Sequence, residues 1–114
     1  GKQLHAWGKG EREGEEGFGS CCNPMNLRFG PDGMLYTSEA SVGRIKRYSA
    51  DGEFLGVVGT AKIVPGCKHV ALGMSKDGAR VYLLDISRNQ IVVMERRAAG
   101  ENRLIKANGK VRRV

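Results

Sequence analysis

The chain has 114 residues, enough for one modest domain, and its 40% hydrophobic and 27% charged residues are typical of an ordinary soluble globular protein. No apolar run approaches the ~20 residues of a membrane-spanning helix, and no signal peptide is recognisable. The formal net charge of +7 permits contact with phosphate or anionic lipid, although a solvated basic surface is the plainer interpretation. Because the chain starts at Gly1, we expect a processed, truncated or excerpted protein.

A repeat of about 45 residues organises the chain. Cys22 and Cys67 are 45 residues apart, as are the turn glycines Gly33 and Gly78. After one inserted residue the offset becomes 46 and aligns four further pairs: Tyr36 with Tyr82, Glu39 with Asp85, Ser41 with Ser87, and Ile45 with Ile91. The sequence therefore predicts two copies of one structural unit.

Each unit has the pattern of four short strands. Asp32-Gly33 and Asp77-Gly78 separate short apolar runs, which is a strong hairpin signal. The predicted strands lie near residues 25–29, 34–38, 44–48 and 54–58 in the first unit, and near 70–74, 81–85 and 90–96 in the second. The last strand of the second unit falls near 103–107 or near 111–114, and the Asn108-Gly109 turn could join the two as a hairpin.

Four antiparallel strands repeated every 40–50 residues are typical of a β-propeller blade. Residues 1–8 share the glycine spacing of residues 52–59, which predicts the outer strand of a preceding blade. The sequence thus predicts an all-β fold, with residues 1–17 ending one blade and 18–59 and 60–114 forming two four-stranded blades. Residues 44–48 alternate, which indicates one wet face, whereas 81–84 and 91–94 read as strands buried on both faces.

The motifs Trp7-Gly8, Gly17-Phe18, Gly43-Arg44-Ile45 and Asp51-Gly52-x-Phe54-Leu55 resemble those of NHL-repeat propellers. This resemblance implies a ring of six blades and says little about activity. The Cys21-Cys22-Asn23-Pro24 segment is similar to that of a subgroup of bacterial NHL-like proteins, often exported. With the cysteine pairing considered below, it implies a periplasmic or secreted location.

Two blades alone would leave two apolar faces bare, because the faces of each blade are covered by its neighbours. We therefore expect the remaining blades of the propeller as partners. They belong either to the same longer chain or to further copies of this one.

In propellers the loops that enter the inner strand and the loops between the second and third strands share one face around the channel. A ligand is expected there, because loops on a rigid scaffold carry most binding sites. The candidate binding residues on this loop face are Asn23, Glu39, Ser41, Arg44, Lys68, His69, Asp85, Arg88 and Asn89.

Three interpretations of the cysteines remain open. A disulfide between Cys22 and Cys67 would stabilise the fold by up to ~4 kcal/mol in the entropic treatment of a 45-residue loop. A metal site would use Cys21, Cys22, Cys67 and His69, but their spacing is unlike that of known zinc frameworks. Buried thiols are the plain alternative, and we expect neither a metal nor a cofactor.

The pattern favours a non-enzymatic binding or scaffold module whose loop face holds a protein, peptide or glycan. No catalytic residue can be assigned, since no Ser/His/Asp set or phosphate-binding loop is visible in the sequence. One alternative is a fragment of a metal-dependent propeller lyase or hydrolase, because some NHL-related lyases bind zinc near the channel. A further alternative is RNA binding through the basic surface.

Overall fold

The computed structural model describes residues 1–10, 14–19, 24, 26–40, 42–64 and 70–95, together with the backbone of residues 104–107 and 110–113. All regular structure in these residues is β, and none of it is a helix that could cross a membrane. The strands are β1 (Asn26–Phe29), β2 (Leu35–Glu39), β3 (Arg44–Tyr48), β4 (Phe54–Thr60), β5 (Leu72–Met74), β6 (Arg80–Asp85), β7 (Gln90–Glu95), β8 (Leu104–Ala107) and β9 (Lys110–Arg113).

The first sheet contains β1 to β4 in sequential order, all antiparallel, as expected for one propeller blade. Its first hairpin closes at the predicted Asp-Gly turn. Gly33 has a φ of 79°, a conformation that glycine enters without a steric cost. Asp32 Oδ1 accepts a hydrogen bond from the Met34 amide at 3.0 Å and so fixes the turn that the sequence predicts.

The second sheet contains β5, β6 and β7, which is three of the four predicted strands. The residues expected to supply the fourth strand form a separate antiparallel hairpin of β8 and β9, so both proposed positions are strands. Among the described residues the second sheet thus has three strands, and β8 and β9 pair with each other. The pairing of β8 with β9 provides hydrogen-bond partners for the backbone N–H and C=O groups along one edge of each strand.

The core lies between the two sheets. Tyr36 and Ile45 of the first sheet pack with Val81, Leu83 and Val92 of the second in one cluster of buried side chains. Each aliphatic side chain buried in this way contributes about 1.5–3 kcal/mol of stability. The two sheets therefore pack face to face like successive blades, without closing a ring among the described residues.

The wet face predicted for residues 44–48 is buried. Lys46 has no exposed surface because the N-terminal segment covers the outer part of this face. Trp7 and Phe18 lie 5.0 and 5.8 Å from the Tyr48 ring, measured between ring centroids. The segment does this without forming the predicted outer strand, because residues 1–9 are irregular.

The far face of the second sheet is open. Leu84 is 42% exposed and Ile91 is 49% exposed, and these two residues face each other across β6 and β7. The prediction that both faces of these strands are buried is therefore wrong for this face. These two side chains are thus only partly covered by the described residues, although the apolar sequence is that of a strand covered on both sides.

Candidate functional site

The structure describes five of the predicted loop-face residues. Glu39 and Arg44 flank the turn between β2 and β3, and Asp85, Arg88 and Asn89 lie at the equivalent turn between β6 and β7. The remaining candidates lie outside the described residues, so the disulfide and metal interpretations stay predictions: Cys21, Cys22, Asn23, Ser41, Cys67, Lys68 and His69.

The two turns are held on either side of the segment that follows β4. On one side the Ala61 amide donates to the Gly43 carbonyl at 2.7 Å. On the other side Arg88 Nη1 donates to the Lys62 carbonyl at 2.9 Å. A common segment thus links the two described turns.

Glu39 is a buried carboxylate bound by two cations. Its Oε1 lies 2.7 Å from Arg44 Nε and 3.1 Å from Lys46 Nζ, and its Oε2 accepts from Arg44 Nη2 at 3.3 Å. The hydrogen bond that Arg44 donates to Glu39 raises the pKa of the Arg44 guanidinium above its ordinary value, against the opposing effect of burial. Arg44 thus stays charged and holds the carboxylate in place.

Side chains on one face of β3 also bind the N-terminal segment. Positions 44, 46 and 48 point to the same side of the strand because side chains alternate. Their donors reach the backbone carbonyls of residues 14–17 in three pairs: Arg44 Nη1 with Gly14 O at 3.3 Å, Tyr48 Oη with Glu16 O at 2.7 Å, and Lys46 Nζ with Gly17 O.

Asp85 occupies the position equivalent to Glu39 and is also buried. Its Oδ2 accepts from Arg88 Nη1 at 3.3 Å and from Gln90 Nε2 at 3.1 Å, and its Oδ1 accepts from the Ser87 amide at 3.2 Å. Burial acts to raise the pKa of Asp85, but the hydrogen bonds from Gln90 and Arg88 outweigh it and lower the pKa below its ordinary value. Asp85 is a fixed carboxylate that shapes its turn.

Asn89 adopts the left-handed conformation, with a φ of 50°. Its equivalent in the first repeat, Gly43, has a φ of 66°, so the same turn geometry recurs with asparagine in place of glycine. Residues 86–89 are exposed, and they form the most accessible described part of the loop face.

These contacts limit the chemistry that the described residues can perform. Both strand-end carboxylates are buried and bonded to cations, so the described structure holds them as fixed ion-pair partners. No group of three or more metal-ligating side chains occurs within the described part of the chain. The exposed turn side chains can instead offer hydrogen bonds and a cation to a ligand.

The sequence reasoning missed Lys46. The repeat alignment contains a signal for it, because the offset of 46 places Lys46 opposite the buried Val92 of the second unit. A position that is core in one repeat is expected to be core in the other, so a lysine there needs buried partners.

Sequence comparison relates the chain distantly to adipocyte plasma membrane-associated protein, which belongs to a propeller-type family. The chain is 33% identical over 81 residues to the protein of Salmo salar and 32% identical over 81 residues to that of Danio rerio. The match covers 68% of this chain but only 19% of each relative. Both relatives are eukaryotic, so they lend no support to the bacterial Cys-Cys-Asn-Pro subgroup.

No family profile matches the chain. No solved structure gives a significant match either.

Proposed function

We propose that this chain forms part of a β-propeller that acts as a non-enzymatic binding module. Its blades span residues 18–59 and 60–114, and the remaining blades cover the faces left open here. The loop face holds a protein, peptide or glycan partner. The two relatives are named after the adipocyte plasma membrane. Only their propeller architecture supports this proposal.

One observation carries this proposal. The turns after β2 and β6 are both joined to residues 61–62, while their buried acids are occupied by cations. The exposed turn is thus held by a fixed scaffold, which lowers the entropic cost of binding a partner. Metal or acid–base chemistry at these two carboxylates would require their cation partners to be displaced.

The test is a binding screen with the full-length protein on glycan and peptide arrays, followed by affinity measurement of the best ligand. The variant Asn89→Gly removes a loop-face side chain while retaining the left-handed turn. We expect it to weaken binding about tenfold, a typical effect of removing one well-placed contact. Lys76→Ala, in the turn at the other end of β6, is the control and should bind like the unaltered protein.

Equal affinities of the three proteins would refute the loop-face proposal. Binding abolished by a chelator, or chemical conversion of the ligand, would favour the metal-dependent lyase or hydrolase instead. If RNA is the only ligand and its affinity falls steeply with salt, the propeller is an RNA-binding one.

A further inference from the structure

A cleft of about 450 Å³ opens between the two sheets at the end of β3 opposite to the loop face. Its walls are mostly apolar, and its volume lies in the usual range of ligand pockets, about 300–1,000 Å³. The lining residues that matter below are Arg47, Leu55, Gly56, Val58, Ala79 and Glu95.

The strand β4 is irregular where it lines this cleft. Its register with β3 shifts twice: the paired residues pass from Gly59 to Val57 and from Gly56 to Phe54. The two residues that the shifts leave out of the pairing are Val58 and Leu55, and both line the cleft. Such bulges redirect side chains and occur preferentially next to functional sites.

Gly56 leaves the backbone of β4 bare inside the cleft. Its φ of 143° disfavours any other residue, and no atom lies within 4 Å of the place where a Cβ would be. A glycine within a strand often marks a position where a second backbone approaches closely. The bulges oppose regular strand addition at this edge, so the approach would be local.

The cleft carries one charge of each sign. Arg47 is partly exposed and uses Nε and Nη2 to contact Asp32 Oδ2, both at 3.1 Å. Glu95, from the end of β7 in the other sheet, has interactions of its own but also lines the cleft. A partner that carries an acidic and a basic group around an apolar centre would complement these walls.

We propose that this cleft is a second binding site, distinct from the loop face, for an extended peptide with an apolar anchor residue. The anchor fills the space between Leu55, Val58 and Ala79. An acidic neighbour of the anchor meets Arg47, a basic neighbour meets Glu95, and the peptide backbone passes over Gly56.

The test follows methyl NMR signals of Leu55 and Val58 in the full-length protein during titration with capped tripeptides. The probes are acetyl-Glu-Trp-Lys-amide and acetyl-Lys-Trp-Glu-amide, which cover both peptide directions. We expect saturable shifts with a dissociation constant on the order of 1 mM for one of the two, as suits a ligand of this size. The Ile86 methyl, exposed on the loop face, should not move.

Two comparison peptides separate the contribution of the charged neighbours from that of the apolar anchor. Acetyl-Ser-Trp-Ser-amide lacks the charges and should bind several-fold more weakly. Acetyl-Glu-Ala-Lys-amide lacks the anchor and should not bind. Equal binding of all these peptides, or shifts of Ile86 as large as those of Leu55, would overturn the proposal.

The variant Ala79→Phe fills the cleft and should abolish the shifts of Val58, whereas Ala50→Phe adds the same ring at an exposed position outside it. If Ala79→Phe fails to fold, Leu55→Gln changes the rim at a residue that is already 39% exposed and should weaken binding. Unchanged affinity in Leu55→Gln or in folded Ala79→Phe refutes the site. Both variants leave the loop-face residue Asn89 unaltered. Refutation of the cleft would therefore leave the loop-face proposal standing.

Discussion

Replacing Glu39 by glutamine tests the buried charge cluster most directly. Lys46 has no exposed surface and Glu39 is 1% exposed, whereas the side chain of Arg44 is 19% exposed. Without the carboxylate, Arg44 can be rehydrated but Lys46 is left as a buried cation bonded to the Gly17 carbonyl. We expect Glu39→Gln to lower the free energy of unfolding by about 3–5 kcal/mol, the usual cost of breaking a buried ion pair from one side.

Lys46→Met should cost less, about 1–2 kcal/mol: the Gly17 carbonyl and Glu39 both lose the Lys46 ammonium, but Glu39 keeps Arg44 as its ion-pair partner. The methionine can also pack under the Phe18 ring, whose centroid lies 4.5 Å from Lys46 Nζ. The double variant, which combines Glu39→Gln with Lys46→Met, has no buried cation at position 46. It should therefore be more stable than Glu39→Gln alone by about 1–2 kcal/mol.

Urea unfolding provides the measurement, followed by the fluorescence of Trp7, which is the chain's single tryptophan and contacts Tyr48. Glu53→Gln makes the same chemical change at an exposed position and should stay within about 0.5 kcal/mol of the unaltered protein. Strictly additive losses in the double variant, or a Glu39→Gln variant as stable as the Glu53→Gln control, would show that the cluster does not act as a buried pair.

Three further predictions concern the loop-face turns. Because the pKa of folded Asp85 is lowered, its contribution to stability is present above about pH 4 and is lost as the pH falls through the folded pKa. The urea midpoint of Asp85→Asn should therefore fall less than that of the unaltered protein when the pH is lowered from 7 into the acid range. Asn89→Val should cost about 1–2 kcal/mol in urea unfolding, whereas Asn89→Gly should be nearly neutral, and equal losses would contradict the left-handed turn. Gly43→Ala should cost about 2–3 kcal/mol, more than Asn89→Ala, because its Cβ would collide with the Ala61 carbonyl; thermal melting of both variants decides.

The strands of the sheets could be predicted from the sequence because their signals are local. The Asp32-Gly33 turn, the alternation around Ile45 and the 45-residue repeat all act within one unit, and β1 to β7 lie where these patterns place them. The equivalence of Glu39 and Asp85 was also visible in the alignment, and both end their strands in the structure.

The environment of each face could not be predicted, because it depends on residues distant in the chain. Arg44–Tyr48 has the alternation of a wet strand, yet the carbonyls of residues 14–17 turn that polar face into a buried one. The run containing Leu84 has the opposite outcome: its sequence suits burial on both faces, but Leu84 is 42% exposed. The inter-sheet cleft depends on where the register of β4 shifts against β3. The periodicity of the sequence carries no information on the positions of these shifts.

Lys46 and Val92 occupy matching places in consecutive repeats, but one requires polar acceptors and the other an apolar wall. The two units are consequently not interchangeable, although their backbones follow the same plan. If their order in the chain were swapped, the lysine would face the aliphatic side chains between the sheets and the valine would face unsatisfied carbonyls. The residue at this single strand position therefore determines which unit can precede the other.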